Sequence, residues 1–179
     1  IRAIKSSREI DIIKEGCQLT DTVLKRALGH WSEFKTESDV AAFLEFNAKR
    51  KGCDTSFPTI IASGAHAGIP HYETSQRNLN RGFCVIDWGI RFRGYCTDIS
   101  RTVCVGTPSK KMENWYLTVL NAQQIAIDAV EEGVPCNKVD AQARKALGKL
   151  EPLFIHGLGH GIGVEVHERP WVNSRSKEI

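Results

Sequence analysis

The chain has 179 residues, of which 41% are hydrophobic and 25% charged, a balance that suits one soluble globular domain with a sizeable core. The formal net charge is only +3, and no Lys/Arg stripe with interleaved aromatics is present, which argues against a nucleic-acid partner. The apolar runs are short and interrupted, and Arg2 and Lys5 are followed by Glu9 and Asp11 rather than by an apolar core, so neither a membrane span nor a signal peptide is read.

Taken in chain order, Ser6 and Glu9 have the spacing of a capping box. Apolar residues then recur at Ile10, Ile13, Cys17, Leu24, Ala27 and Leu28, the period of a helix, with Gly29 as its stop. Thr36 with Asp39 opens a second helix that buries Val40, Phe43 and Leu44 and ends at Gly52. Residues 59–62 read as a short buried strand, and residues 83–106, rich in Val, Ile, Phe, Tyr and Trp, as strand, turn and strand. Ser109 precedes a third helix with Met112, Trp115, Val119, Ala122, Ala126 and Val130 on one face, closed by Gly133 and Pro135. Asn137 with Asp140 caps a fourth, which runs to about Leu147. A Gly- and His-rich segment, 156–163, then leads into an expected strand at 164–167. Two helices thus precede strands twice, and each half carries a Gly-rich segment ending in a histidine, at 63–71 and at 157–167, the outline of a pseudo-repeat.

The six cysteines, Cys17, Cys53, Cys84, Cys96, Cys104 and Cys136, form no C-x-x-C pair and are too sparse for a disulfide framework. They read as small buried apolar residues in a reducing, cytoplasmic setting.

Three groups of residues carry chemistry. Asp87 and Asp98 lie in or beside an apolar strand region, where a carboxylate is expensive to bury unless paired or bound to a cation. If residues 91–94 form the turn, the two carboxylates stand directly opposite on one face, roughly 4.5–5.5 Å apart at Cβ. Left unneutralised they would repel, and a pair of divalent ions resolves this. The plainer reading is one Asp in a turn and the other paired with Arg101. His156, His160 and His167 fall within a short run that also holds four glycines, whose lack of side chains lets backbone approach a ligand, and imidazole supplies a neutral ligand nitrogen or a proton donor near neutral pH. The run is neither H-E-x-x-H nor a phosphate loop. His71 follows Pro70 in a loop and could simply be exposed; His66 is a weaker candidate.

IDWGIRFRGYCTDISRT, HGLGHGIGVEVHE and SGAHAGIPHY, in that combination, resemble the paired-aspartate hairpin, the ligand-histidine segment and the substrate-side histidine loop of the pita-bread metallopeptidases. The resemblance runs through essentially the whole chain. It implies an α+β fold with a pseudo-twofold repeat, a curved antiparallel sheet backed by helices, and a dinuclear centre, with Mn(II) or Co(II) most expected. Carried over by position, Asp87, Asp98 and His160 are metal ligands, with Asp98 bridging; His71 and His167 flank the substrate carbonyl and amide; His156 lies beside the pocket for the residue after the scissile bond. His156 four residues before His160, and Arg101 after Asp98, resemble the Xaa-Pro dipeptidase (prolidase) and aminopeptidase P group. The opening residues 1–6 resemble the junction at which that group leaves a separate N-terminal domain.

The function so implied is hydrolysis of Xaa-Pro bonds in short peptides through a hydroxide bridging two divalent ions, with a homodimer as the expected full-length assembly. The family's two glutamate ligands are expected beyond Ile179. Residues 1–179 are therefore read as a catalytic domain incomplete at its C-terminus, without the family's N-terminal domain, and inactive alone. Glu165 and Glu168 lie too near His160 to replace those ligands. The alternatives are a methionine aminopeptidase-type or creatinase-like hydrolase, or a non-catalytic homologue that binds peptides or partners.

Overall fold

The computed structural model describes residues 2–179; Ile1, the first residue of the junction-like opening, lies outside them. The chain divides into two compact units, Ile1–Thr107 with Ile162–Val166, and Pro108–Gly161 with His167–Ile179.

In the first unit, α1 (Ser7–Gly29) starts on the expected capping box, with Ser6 N–H donating to Glu9 Oε2 at 2.8 Å and Glu9 N–H returning to Ser6 Oγ at 3.4 Å. Its buried stripe is Gly16, Thr20, Val23, Leu24 and Ala27, while Ile10 and Leu28 are exposed, so the core face is rotated from the one that apolar spacing alone marks out. Gly16 turns the face: a Cβ there would meet Thr97 Cγ2 at 2.9 Å, and only hydrogen lets α1 come this close. The helix stops at His30 in ordinary backbone geometry, without a left-handed glycine at Gly29.

Helix α2 (Glu37–Arg50) begins on the Thr36–Asp39 capping box and ends, as its sequence predicts, at Gly52, whose φ of 75° suits glycine. Cys53 N–H reaches back to Ala48 O and Gly52 N–H to Lys49 O, the paired bonds of a left-handed helix stop.

Six antiparallel strands follow: β1 (Asp54–Thr55), β2 (Ile60–Ser63), β3 (Gly82–Trp88), β4 (Ile90–Phe92), β5 (Tyr95–Cys96) and β6 (Ile99–Val105). They form two sheets in the orders β1-β4-β5 and β2-β3-β6. Alternation along β3 buries Cys84, Ile86 and Trp88 against Val23, Leu24 and Ala27 of α1 and Val40, Leu44 and Ala48 of α2. Leu44 has no exposed surface, and truncating such a side chain costs roughly 2–5 kcal/mol.

In the second unit, α3 (Lys110–Asp128) opens with Ser109 Oγ accepting from Met112 N–H. Of its expected apolar face only Ala122 and Ala126 are buried; Trp115, Val119 and Val130 are exposed, because the facing elements cover only the stretch around those two alanines. Helix α4 (Cys136–Leu147) starts at Pro135 with no side-chain cap, contrary to the expected Asn137–Asp140 box. Asp140 is instead fully buried and paired with Arg144, while the backbone carbonyls of Glu178 and Ser176 take the N–H groups of Cys136 and Asn137. Strands β7 (Gly159–Gly161) and β8 (Glu168–Val172) form an antiparallel ladder.

The expected strand at 164–167 is not formed, and β8 begins one residue later. Gly163 O accepts from Cys96 N–H and Val164 O from the Arg91 guanidinium, so these carbonyls serve the β4–β5 hairpin of the first unit rather than a ladder of their own.

Candidate metal and active site

The two aspartates are set by one hairpin whose register differs from the expected one. The turn is Arg93-Gly94, with φ of 47° and 88°, two left-handed residues as in a type I′ turn, rather than the four residues 91–94. Arg91 and Phe92 still pair, with Cys96 and Tyr95. The ladder is thereby shifted by two positions: Asp87 pairs with Ser100, not with Asp98. Asp98 itself lies between β5 and β6, outside both ladders, one residue before β6 begins. Ser100 Oγ donates to Asp87 Oδ1 at 2.8 Å and orients that carboxylate.

The point where the hairpin passes from one sheet to the other lies at Gly89 and Thr97. Thr97 N–H donates to Ile90 O, and Ile90 N–H is taken by Thr97 Oγ1 at 2.9 Å instead of a backbone carbonyl. Thr97 O turns to Ser56 Oγ, 2.7 Å away. A Cβ on Gly89 would lie 1.9 Å from Thr97 O, so glycine is required for this crossing. Asp98 follows at once, its backbone placed by a residue that is only 1% exposed. Thr97 and Ser56 carry no signal in the sequence, but Gly89, a glycine within an otherwise apolar strand region, is the kind of residue that marks a close backbone approach.

His160 and His167 are brought together across the β7–β8 turn, their ring centroids 4.3 Å apart and 70° inclined. Trp171, opposite His160 in the ladder, stacks on His167 at 6.4 Å and was not singled out from the sequence. His160 Nδ1 lies 3.0 Å from Gly161 O, which only accepts, so Nδ1 carries the proton and Nε2 the lone pair. That is the tautomer in which a histidine ligates through Nε2. His156 makes the same contact with Gly157 O at 2.7 Å and is exposed. Its backbone is held by Arg144, which donates to His156 O and Phe154 O while paired with Asp140 and Glu151. The hydrogen bonds that Arg144 donates to Asp140, ahead of burial, set the direction, and the guanidinium is pushed further above its usual range.

His71 stands exposed in the loop between β2 and β3, with a left-handed φ of 54°. Such a conformation in a non-glycine residue is held by its surroundings. Tyr72, the next residue, donates to Glu37, which has no exposed surface and was not singled out from the sequence. Burial alone would raise its pKa; hydrogen bonds from Ser63, Tyr72 and His66 outweigh that and hold it below the ordinary carboxylate value.

Among the described residues, no three His, Cys, Asp or Glu side chains stand close enough together to hold a metal ion. The donors fit a divalent cation in kind, through two carboxylates on one hairpin and an imidazole. Asp87 and Asp98 belong to the first unit and His160 to the second.

The model of metallopeptidase family M24 matches residues 11–179. The chain belongs to metallopeptidase family M24. The fold agrees: the prolidase of Thermococcus sibiricus superposes with a TM-score of 0.95 at 38% identity, over 99% of this chain and 50% of that one. The X-Pro aminopeptidase of Thermotoga maritima superposes at 0.93 with 33% identity, over 99% and 51%. In sequence, the Xaa-Pro dipeptidase of Pyrococcus furiosus is 37% identical over the whole of this chain and 53% of its own length. The chain thus spans about half the length of the curated relatives it matches. No helix among the described residues is long and apolar enough to cross a membrane.

Proposed function

We propose that the protein to which this chain belongs is a metal-dependent peptidase that hydrolyses Xaa-Pro bonds in short peptides. The observation that carries this reading is the end-to-end likeness to an Xaa-Pro dipeptidase, within a family of metallopeptidases, by a chain that retains Asp87, Asp98 and His160. These three would hold two divalent ions, Mn(II) or Co(II), together with two glutamates from the remainder of a protein of the relatives' length. When bound, the ions supply a water acidic enough to be deprotonated near neutral pH and a Lewis acid for the scissile carbonyl.

The chain's own residues then do the positioning. Ser100 holds the Asp87 carboxylate in one orientation, and the Nδ1–H bond to Gly161 O keeps the lone pair of His160 on Nε2. His71 and His167 would donate hydrogen bonds to the substrate, one towards the oxygen on which negative charge develops. His167 is confined for this by its stacking on Trp171. The leaving proline nitrogen is a tertiary amide and must gain a proton to depart, which a positioned protein acid supplies. His156, exposed on a segment clamped by Arg144, would lie beside the pocket for the residue after the scissile bond. With three of five ligands, residues 1–179 alone would not turn over.

The deciding experiment uses the full-length protein. Cleavage of Xaa-Pro dipeptides should stop on exhaustive chelation and return with Mn(II) or Co(II). Equal rates after chelation, or a clear preference for Met-Ala over Xaa-Pro substrates, would overturn the proposal.

A further inference from the structure

The long loop between β2 and β3 runs from Gly64 to Arg81 and has no regular structure beyond the helical turn Gly64–Gly68. A segment of that kind needs outside contacts to hold one conformation. Among the described residues, no hydrogen bond or ion pair holds the His71 side chain itself, so its place is set by backbone and neighbours.

Those neighbours converge on Glu37. Its Oε1 accepts from Ser63 N–H at 3.0 Å, Ser63 O–H at 2.9 Å and His66 Nδ1 at 3.2 Å. Its Oε2 accepts from Tyr72 O–H at 2.8 Å and Ser75 O–H at 3.3 Å. His66 Nε2 faces the Arg77 guanidinium at 3.3 Å; a guanidinium only donates, so the proton of His66 is on Nδ1, directed at Glu37. His66 also stacks on Tyr72 with centroids 4.5 Å apart. The first turn of α2 adds backbone bonds to the same loop, Glu37 N–H to Arg77 O and Ser38 N–H to Ser75 O. Every group facing the carboxylate is a donor, and one of them, Tyr72, directly follows His71 in the chain.

We infer that Glu37 is the positioning residue for His71, holding the loop through Tyr72 so that the imidazole meets the substrate. The inference rests on the reading of His71 as a substrate-contacting residue. It assigns Glu37 no contact with substrate or metal. An amide in its place would still accept from Ser63 N–H but would turn N–H donors towards Tyr72 and Ser75, loosening the His71 side of the loop while sparing the β2 side.

The test uses the full-length protein and four variants: Tyr72→Phe, Glu37→Gln, His71→Ala, and Tyr72→Phe combined with His71→Ala. Hydrogen exchange of residues 69–75, kcat and KM on an Xaa-Pro dipeptide, and bound metal are measured for each. Tyr72→Phe and Glu37→Gln should speed exchange in 69–75 by about tenfold. They should also lower kcat by about tenfold with metal content unchanged. Added to His71→Ala, Tyr72→Phe should cost less than about twofold more, since both act through one group. Unchanged exchange and kcat in both single variants, or losses that multiply with His71→Ala, would overturn the inference while leaving the reading of His71 intact. His71→Ala at the wild-type rate would remove that reading and this inference together.

Discussion

The hydroxyls of Thr20 and Thr97 lie 2.8 Å apart, and each residue is only 1% exposed. This contact ties α1 to the residue that precedes Asp98. Thr20 Oγ1 also reaches Gly16 O at 2.9 Å, which accepts, so the proton of Thr20 goes there and Thr97 donates to Thr20. The same Thr97 oxygen accepts from Ile90 N–H, so this hydroxyl both donates and accepts.

Thr97→Val should therefore cost more than Thr20→Val. It leaves the Ile90 amide buried without an acceptor, a loss of roughly 1–3 kcal/mol, whereas removing the Thr20 hydroxyl leaves no donor stranded, since the Thr97 proton can turn to Ile90 O at 3.4 Å. Urea unfolding of the two variants checks the order.

Gly89→Ala should be worse than Gly94→Ala. At Gly89 the new Cβ meets the Thr97 carbonyl and Ser56 Oγ, at 1.9 and 2.4 Å, and backbone must move. At Gly94 the space is open and only the left-handed φ of 88° is penalised, by about 1–2 kcal/mol. A Gly89→Ala loss no larger than that at Gly94, measured by denaturant unfolding, would show that the crossing tolerates a side chain.

Arg144→Ala strands Asp140, whose side chain has no exposed surface, and releases the carbonyls of Phe154 and His156. Breaking such a pair costs about 3 kcal/mol or more. Arg144→Lys keeps the charge but not the planar fork and should recover only part of this in thermal unfolding.

Glu37 gives a pH signature. Its pKa is lowered in the folded chain, so its stabilisation is complete above the ordinary value of 4.5 and is lost as pH falls from there through the folded value. The stability difference between wild type and Glu37→Gln should be constant from pH 7 to about pH 5 and shrink below that. A difference that widens on acidification would reverse the sign and refute the assignment.

Burial, and then the charge of Glu37, push the Cys84 thiol up to about 12. It should resist iodoacetamide in the folded chain even at pH 10, while the partly covered Cys104 labels first. Peptide mapping after timed alkylation reads the order.

Local information was legible in the sequence. The Ser6–Glu9 and Thr36–Asp39 boxes, the Gly52 stop and the Ser109 cap are decided by groups within a few residues of each other, and all four read correctly; of the local signals, the Gly29 stop did not. The family signature also lay in short runs of residues. Asp140 misled because its partner, Arg144, is as close in sequence as the backbone amide it was expected to cap, and burial favoured the guanidinium.

The hairpin register is a different matter. It turns on whether residues 91 and 92 belong to the turn or to a strand, and β1, far back along the chain, pairs with β4 and so decides for the strand. Ser56 Oγ–H then donates to Thr97 O across 41 residues of sequence and fixes the crossing at Gly89. Glu37 shows the same limit. At the start of a helix an acid is ordinary, favoured by the helix dipole whether exposed or buried. Its five donors come from residues 26 to 38 positions away, and only chain closure brings them to one carboxylate. Short-range hydrogen bonding and hydrophobic period determine where elements begin and end; the packing of distant segments determines which polar group faces which, because desolvation is paid only once the core has closed.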